Sequence, residues 1–302
     1  MTEIITKLIK ESIPELKVRE NTSLASLTSF RTGGPADIAA FPKNSGELTG
    51  LLSLLGKEGI SFYILGNGSN VLAPDEGYRG VVILTGEMNG ITVDAGSKKA
   101  VAGAGTLLAT LSSECAKQGL SGLEFARGIP GSVGGAVVMN AGAYGGEIRV
   151  CLTEVTVCDG KGGRPFVMQA GDLEFSYRHS IIPEKGLIVL DATFGLEPGD
   201  KDRIYAMMDE FSAKRKEKQP LEYPSAGSTF KRPEGYFAGK LIEDAGLKGF
   251  SVGGAQVSEK HAGFVINKGG ATSADILELI GEVQKRVFES SGVRLEPEVR
   301  FM

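Results

Sequence analysis

Apolar and polar residues alternate along this chain with a spacing that predicts mixed helices and strands. The opening segment, MTEIITKLIKESIPELK, spreads lysines and glutamates among Ile4, Ile5, Leu8, Ile9 and Ile13. That spacing predicts an amphipathic helix and not a signal peptide, which needs an uninterrupted apolar core of about seven residues. Ser45 is placed to cap a helix carrying Leu48, Leu51, Leu52 and Leu55, ended by Gly59. The run Phe62-Tyr63-Ile64-Leu65 and the run Val81–Leu84 read as short buried strands, giving a β-α-β unit over residues 20–86. Strands follow at Ile91–Val93 and Ala100–Ala102, then a helix from Thr106 with Leu107, Leu108 and Leu111, then strands near 152–158 and 187–196. A charged helix near 200–217, a helix from Ser273 with Ile276, Leu279, Ile280, Val283 and Val287, and a last strand from Glu298 to Phe301 complete the pattern. Three regions result: 1–86, 87–198 and 199–302. No apolar run approaches the roughly 20 residues of a membrane span, so a cytoplasmic chain without membrane insertion is expected.

The residues that interrupt this pattern carry the chemistry. Gly128 to Gly146 reads GIPGSVGGAVVMNAGAYGG, seven glycines without one charged side chain. Glycine weakens helices and strands, so such density serves the backbone: either positive φ in successive turns or main-chain N–H groups laid against a ligand. A phosphate-bearing cofactor suits the second reason, because successive N–H groups hold an anion without a lysine. Gly66-Asn67-Gly68-Ser69-Asn70 follows the strand at 62–65 and has the same character. Its third fingerprint glycine is replaced by Val71, which weakens a dinucleotide-fingerprint reading. Gly103-Ala104-Gly105-Thr106 is similarly partial. Three such turns from separate parts of the chain point to one extended cofactor wrapped by several loops. Candidate cofactor contacts are Gly66, Asn67, Gly68, Ser69, Asn70, Gly131, Ser132, Gly134, Gly135, Asn140, Ala141 and Gly142.

Composition narrows the partners. Thirty-three basic against 37 acidic residues give a net charge of −4, which argues against nucleic acid as the main partner. The 43 glycines in 302 residues are about twice the usual share. Three cysteines, Cys115, Cys151 and Cys158, without C-x-x-C spacing imply neither a disulfide framework nor a zinc site. Two histidines, His179 and His261, make a histidine-rich metal centre a poor expectation.

Several blocks together carry a family resemblance: Ser29-Phe30-Arg31-Thr32-Gly33-Gly34-Pro35-Ala36, the loop Gly66 to Asn70, and Gly128 to Gly142. Tyr177-Arg178-His179-Ser180, Ala226-Gly227-Ser228-Thr229-Phe230-Lys231, Gly246-Leu247-Lys248-Gly249 and Leu295 to Phe301 extend it nearly end to end. In order and spacing they resemble the UDP-N-acetylenolpyruvoylglucosamine reductases, also called UDP-N-acetylmuramate dehydrogenases. The short stretch between Arg178 and Ser228 resembles the second, loop-lacking type of that family. The resemblance implies an α+β, α/β FAD-binding fold of the vanillyl-alcohol-oxidase and para-cresol-methylhydroxylase kind. Two FAD-binding subdomains, 1–86 and 87–198, would precede a substrate-binding domain, 199–302. It also implies non-covalent FAD, NADPH as hydride donor, and reduction of UDP-N-acetylglucosamine enolpyruvate to UDP-N-acetylmuramate for peptidoglycan.

In this reading Arg178 holds the substrate carboxylate, Glu298 stabilises its enolate form, and Ser228 donates the proton. Spacing alone leaves Glu296 and Glu298 on one strand face, and the family pattern Glu-Val-Arg selects Glu298. Tyr177, Lys218, Lys231, Arg232, Lys248 and His261 are the candidate substrate contacts. Two of them depart from the family's other type, which has asparagine where Arg232 stands and glutamine where His261 stands. No metal ligand is implied. Two rivals remain at this level: a flavin-dependent alcohol or hydroxy-acid oxidoreductase of the same fold, and a flavin- or nucleotide-sugar-binding module without catalysis.

Overall fold

Residues Thr2–Met302 are described by the computed structural model, which forms two compact units. The first contains the residues up to Glu20, Asp37–Asn67 and Gly80–Lys214. The second contains Asn21–Ala36, Gly68–Arg79 and Arg215–Met302.

Within the first unit, helix Thr2–Ser12 buries Ile5 and Ile9, and helix Ser45–Glu58 buries Leu48, Leu51, Leu52 and Leu55. The cap of the second helix differs from the expected one. Asn44, not Ser45, has the extended backbone of a cap, and its side chain accepts the Glu47 N–H at 3.0 Å. Ser45 is the first helical residue. Gly59 ends the helix at φ 64°, as expected. A four-stranded sheet has the order Lys17–Ser23, Pro35–Phe41, Tyr78–Leu84, Phe62–Leu65. Phe62–Leu65 runs parallel to Tyr78–Leu84, from Phe62↔Val81 to Leu65↔Leu84.

A five-stranded antiparallel sheet has the order Phe166–Gln169, Leu152–Asp159, Leu187–Gly195, Lys99–Gly103, Ile91–Asp94. Its middle strand explains how the first unit holds two cores. Ile188 and Leu190 join the core of helix Ser45–Glu58, while Val189, Ala192 and Phe194 join the core of helix Leu108–Lys117. A strand covered on both faces needs a near-continuous apolar run, which Leu187–Gly195 supplies. Each fully buried leucine on these faces contributes about 1.5–3 kcal/mol.

The second unit assembles three chain segments around helix Ser273–Ser291, whose buried face is Ile276, Leu279, Ile280, Val283 and Val287. Helix Ala238–Asp244 and an antiparallel sheet of Ser251–Val252, Ala255–Val257 and Val265–Asn267 share its core. The start of the long helix is doubly satisfied. Thr272 and Asp275 form a capping box, and the Asp75 carboxylate accepts the N–H groups of Ser273 (2.8 Å) and Ala274 (2.9 Å). Asn267 donates to the Phe30 carbonyl at 3.0 Å, tying the earliest segment to the same core. The last strand is shorter than expected. Arg300–Phe301 pairs in parallel with Val71–Leu72, and Glu298 lies ahead of it.

No helix among the described residues is long and apolar enough to cross a membrane.

Candidate active site

In the first unit the glycine-rich loops come together. Leu108 N–H donates to Gly131 O, Val133 N–H to Thr106 O, and Gly134 N–H to Ala104 O, at 2.8 to 3.0 Å. Asn67 donates its side-chain N–H to Pro130 O at 2.5 Å. Between the loops lies a cleft of about 340 Å³, lined by Gly66, Asn67, Gly105, Thr106, Leu107 and Thr110 among others. Two approaches demand glycine here. A methyl on Gly66 would overlap the Ser132 hydroxyl, and one on Gly105 would overlap the Thr85 carbonyl. The Ser132 hydroxyl is buried and has no hydrogen-bond partner among the described residues. A buried hydroxyl left unpaired costs free energy, so a ligand acceptor beside Gly66 is the economical explanation.

None of the cleft-lining side chains is charged. The site therefore suits a phosphate-bearing cofactor held by peptide N–H groups and hydroxyls, and FAD fits that donor set. Thr106, in the partial motif Gly103–Thr106, also lines the cleft, as do Thr110 and Asn89, which escaped the sequence reading. The cofactor candidates Gly68, Ser69 and Asn70 follow Asn67 in sequence but belong to the second unit.

Asn140 links the glycine block to the loop carrying Arg178. It is 1% exposed. Its amide donates to Glu147 Oε2 (3.0 Å) and to Ser176 O (3.1 Å), and its oxygen accepts the Arg149 N–H (3.0 Å). Both amide hydrogens thus serve the protein itself, and the residue supports the loop. Arg178 stands in that loop with φ 56°, donates to Gly142 O at 3.3 Å, and lies 5.3 Å from the Tyr177 ring centre. Tyr177 is exposed. Arg178, Tyr177, Gly142 and Asn140 are therefore one neighbourhood.

In the second unit, Ser228 and Glu298 are stitched together through their neighbours. Thr229 is fully buried, its hydroxyl accepts the Val265 N–H (2.9 Å), and its carbonyl accepts the Glu298 N–H (2.8 Å). Asn70 donates to the Glu298 carbonyl at 3.1 Å. Ser228 itself is exposed, presented by a turn in which Gly227 holds φ 77°.

The two glutamates that spacing leaves equivalent now differ. Glu296 is an exposed partner of Lys231 (3.1 Å), whereas Glu298 is fastened beside the serine turn. Lys248 pairs with Glu243 at 3.1 Å, Lys218 is exposed at the end of helix Lys201–Lys218, and the Arg232 guanidinium lies 4.0 Å from the Phe237 ring centre. His261 accepts the Gly263 N–H on Nδ1 (3.1 Å), so its Nε2 carries the proton. Burial, chiefly, holds its pKa below the ordinary imidazole value, with the nearby Lys248 charge adding.

Comparison with known proteins agrees with this picture. A family model described as UDP-N-acetylenolpyruvoylglucosamine reductase, C-terminal domain, matches residues 219–302, and one described as FAD binding domain matches residues 36–166. The UDP-N-acetylenolpyruvoylglucosamine reductase of Agathobacter rectalis is 51% identical, over 100% of this chain and 99% of its own. That of Clostridium novyi is 50% identical, over 99% and 96%. The solved UDP-N-acetylenolpyruvylglucosamine reductase of Thermus caldophilus is 39% identical with a TM-score of 0.79, covering 95% of this chain and 98% of that one. A solved alkyldihydroxyacetonephosphate synthase, 17% identical with a TM-score of 0.50 over 66% of this chain and 40% of its own, shares the fold alone. The expected fold class is borne out: an FAD-binding fold of mixed α and β structure. With FAD as its cofactor and a small molecule as its substrate, this chain belongs to the UDP-N-acetylenolpyruvoylglucosamine reductase family of flavin-dependent oxidoreductases.

Proposed function

We propose that this chain reduces UDP-N-acetylglucosamine enolpyruvate to UDP-N-acetylmuramate with NADPH, in the cytoplasm, as a step of peptidoglycan precursor synthesis. The observation that carries this reading is the stitched pair of segments in the second unit, with Ser228 and Glu298 fastened through Thr229 and Asn70. They lie in, or are bonded by, the stretch matched by the family's C-terminal model. Residues 1–86 and 87–198 then act as FAD-binding subdomains and 199–302 as the substrate-binding domain. The flavin is held non-covalently. Burial pushes the Cys115 and Cys151 thiols up to about 12 and Cys158 to about 11, which makes them poor nucleophiles.

When bound, FAD supplies the two-electron relay between NADPH and the enolpyruvyl group. The chain's residues supply the rest. Arg178 offers a permanently charged guanidinium that can take a carboxylate with two parallel bonds. Glu298, in its protonated form, donates a hydrogen bond to the same carboxyl as its charge shifts towards the enolate. Ser228 gives its hydroxyl proton to the carbon beside the carboxylate.

Lys231 and Lys248 serve the pyrophosphate. Their existing partners are exposed carboxylates, and such pairs are worth only about 0–1 kcal/mol, so exchange for a phosphate is easy. Lys218, Arg232, His261 and Tyr177 complete the substrate contacts. For His261 the proton on Nε2 makes it a neutral donor.

Anaerobic rapid mixing tests the assignment. NADPH should bleach the yellow enzyme, and the enolpyruvyl nucleotide should restore the colour. Ser228→Ala should keep the first step and slow the second about 10²–10⁴-fold. Equal damage to both steps would remove Ser228 from its role, and failure of NADPH to bleach the enzyme would remove the reaction.

A further inference from the structure

The loop that carries Arg178 is braced by a residue with no role so far. Ser176 and His179 exchange backbone bonds at 3.2 and 3.3 Å, closing a four-residue turn with Arg178 in third place. Positive φ at that place is ordinarily glycine's, yet Arg178 holds 56°. Glu174, at the loop's entrance, holds 48°. Two left-handed residues without glycine persist only where surrounding contacts over-determine them. Asn140 supplies one such contact, at Ser176 O. The imidazole of His179 supplies two more. Its Nε2 lies 2.7 Å from Glu184 Oε1, and its Nδ1 lies 3.2 Å from the Glu174 carbonyl oxygen.

Both facing atoms are acceptors only. A neutral imidazole has one N–H and can satisfy one of them, leaving a lone pair against the other. The imidazolium satisfies both. The titratable groups facing the ring are the Glu184 and Glu174 carboxylates. The Glu184 hydrogen bond is the main cause that raises this histidine above its ordinary pKa, against partial desolvation, with the Glu174 carbonyl and both negative charges adding.

We propose that His179 is a positioning residue: its imidazolium braces the left-handed turn of Arg178, and losing the proton slackens that turn and weakens the arginine's hold on an anionic substrate. This rests on the reading of Arg178 as the carboxylate-holding group. The sign follows from the direction of the shift. A histidine raised in the folded state contributes its bond at low pH and loses it as pH rises through the raised value, hence above about 6.5.

Two measurements on the FAD-loaded enzyme test the brace. The chain has only two histidines, so proton NMR can follow His179 once His179→Gln has assigned its signal. It should titrate above about 6.5, and Glu184→Gln should lower the midpoint. The KM for UDP-N-acetylglucosamine enolpyruvate should rise about 2–5-fold through the same midpoint, the size expected of an exposed charged pair. The rate of flavin reduction by NADPH should stay level throughout. His179→Gln, which keeps one donor, should show the high-pH KM at every pH, and Glu184→Gln should move the step to lower pH.

Arg178→Lys separates the two readings. If it raises KM while the wild-type KM ignores the His179 titration, the brace is wrong and the arginine reading stands. If it leaves KM unchanged, the arginine reading is wrong and the brace has no consequence for substrate. A His179 midpoint indifferent to Glu184→Gln overturns the brace directly.

Discussion

At the scale of single residues, Ser132 has the most to say. Its hydroxyl is buried against Gly66 and has no partner among the described residues. In the protein without FAD, Ser132→Ala should therefore leave the melting temperature unchanged or raise it, removing an unpaired group that costs about 1–3 kcal/mol. The same change should weaken FAD retention, measured by flavin absorbance after dialysis. A drop in stability with FAD retention intact would show that the hydroxyl serves the fold and not the cofactor. The glycines around Ser132 were legible in the sequence because density of that kind has few causes. Asn140 was less legible. It stood in the cofactor block, but the groups its side chain bonds include Ser176, 36 residues away, and no spacing rule reaches that far.

Helices and strands were read best where one face is buried. Helix Ser273–Ser291 carries the predicted apolar stripe and begins at the predicted residue. Strand Lys17–Ser23 was missed because KVRENTS is largely exposed and has no apolar alternation to betray it. Helix Ser45–Glu58 was found with its cap one residue late, since Asn44 and Ser45 are both good caps and only the backbone angles choose.

The capping box of the long helix yields a pH prediction. Asp275 accepts the N–H groups of Thr272 (3.0 Å) and Gly254 (3.1 Å), and these bonds, that to Thr272 first, lower its pKa. A depressed carboxylate stabilises the fold above its unfolded pKa and loses that contribution as pH falls through the folded value. The melting temperature of Asp275→Asn should thus lie below wild type at neutral pH, and the two should converge as pH drops below about 4. A constant gap across that range would show that Asp275 acts through shape and not charge.

For the molecule as a whole, discontinuity is the main lesson. The sequence reading cut the chain at 86 and 198 and treated each piece as contiguous. The compact units divide the chain by packing and not by function: they take stretches from several places, and the second includes 21–36 and 68–79 as well as 215–302. Such assembly is invisible to periodicity, which speaks only of near neighbours. Its bonds are specific: Phe30 O to Asn267, Asp75 to the start of helix Ser273–Ser291, and Ala73 O to the Ser273 hydroxyl at 2.6 Å. A fragment of residues 215–302 alone loses all of these, together with Phe30 and Leu72 from its core. Heated alone, it should show no cooperative transition by circular dichroism, whereas the whole chain should. A sharp melt of the fragment would mean that the family's C-terminal region folds unaided.

The neutral lining of the cleft proposed for FAD has a practical corollary. Peptide dipoles fixed by the fold cannot be drawn away by chloride as a mobile lysine can, and ions in solution screen buried contacts poorly. The yellow colour should therefore survive washing in concentrated brine, and the nucleotide substrate, for which Lys231 and Lys248 are the proposed contacts, should be the partner that brine dislodges.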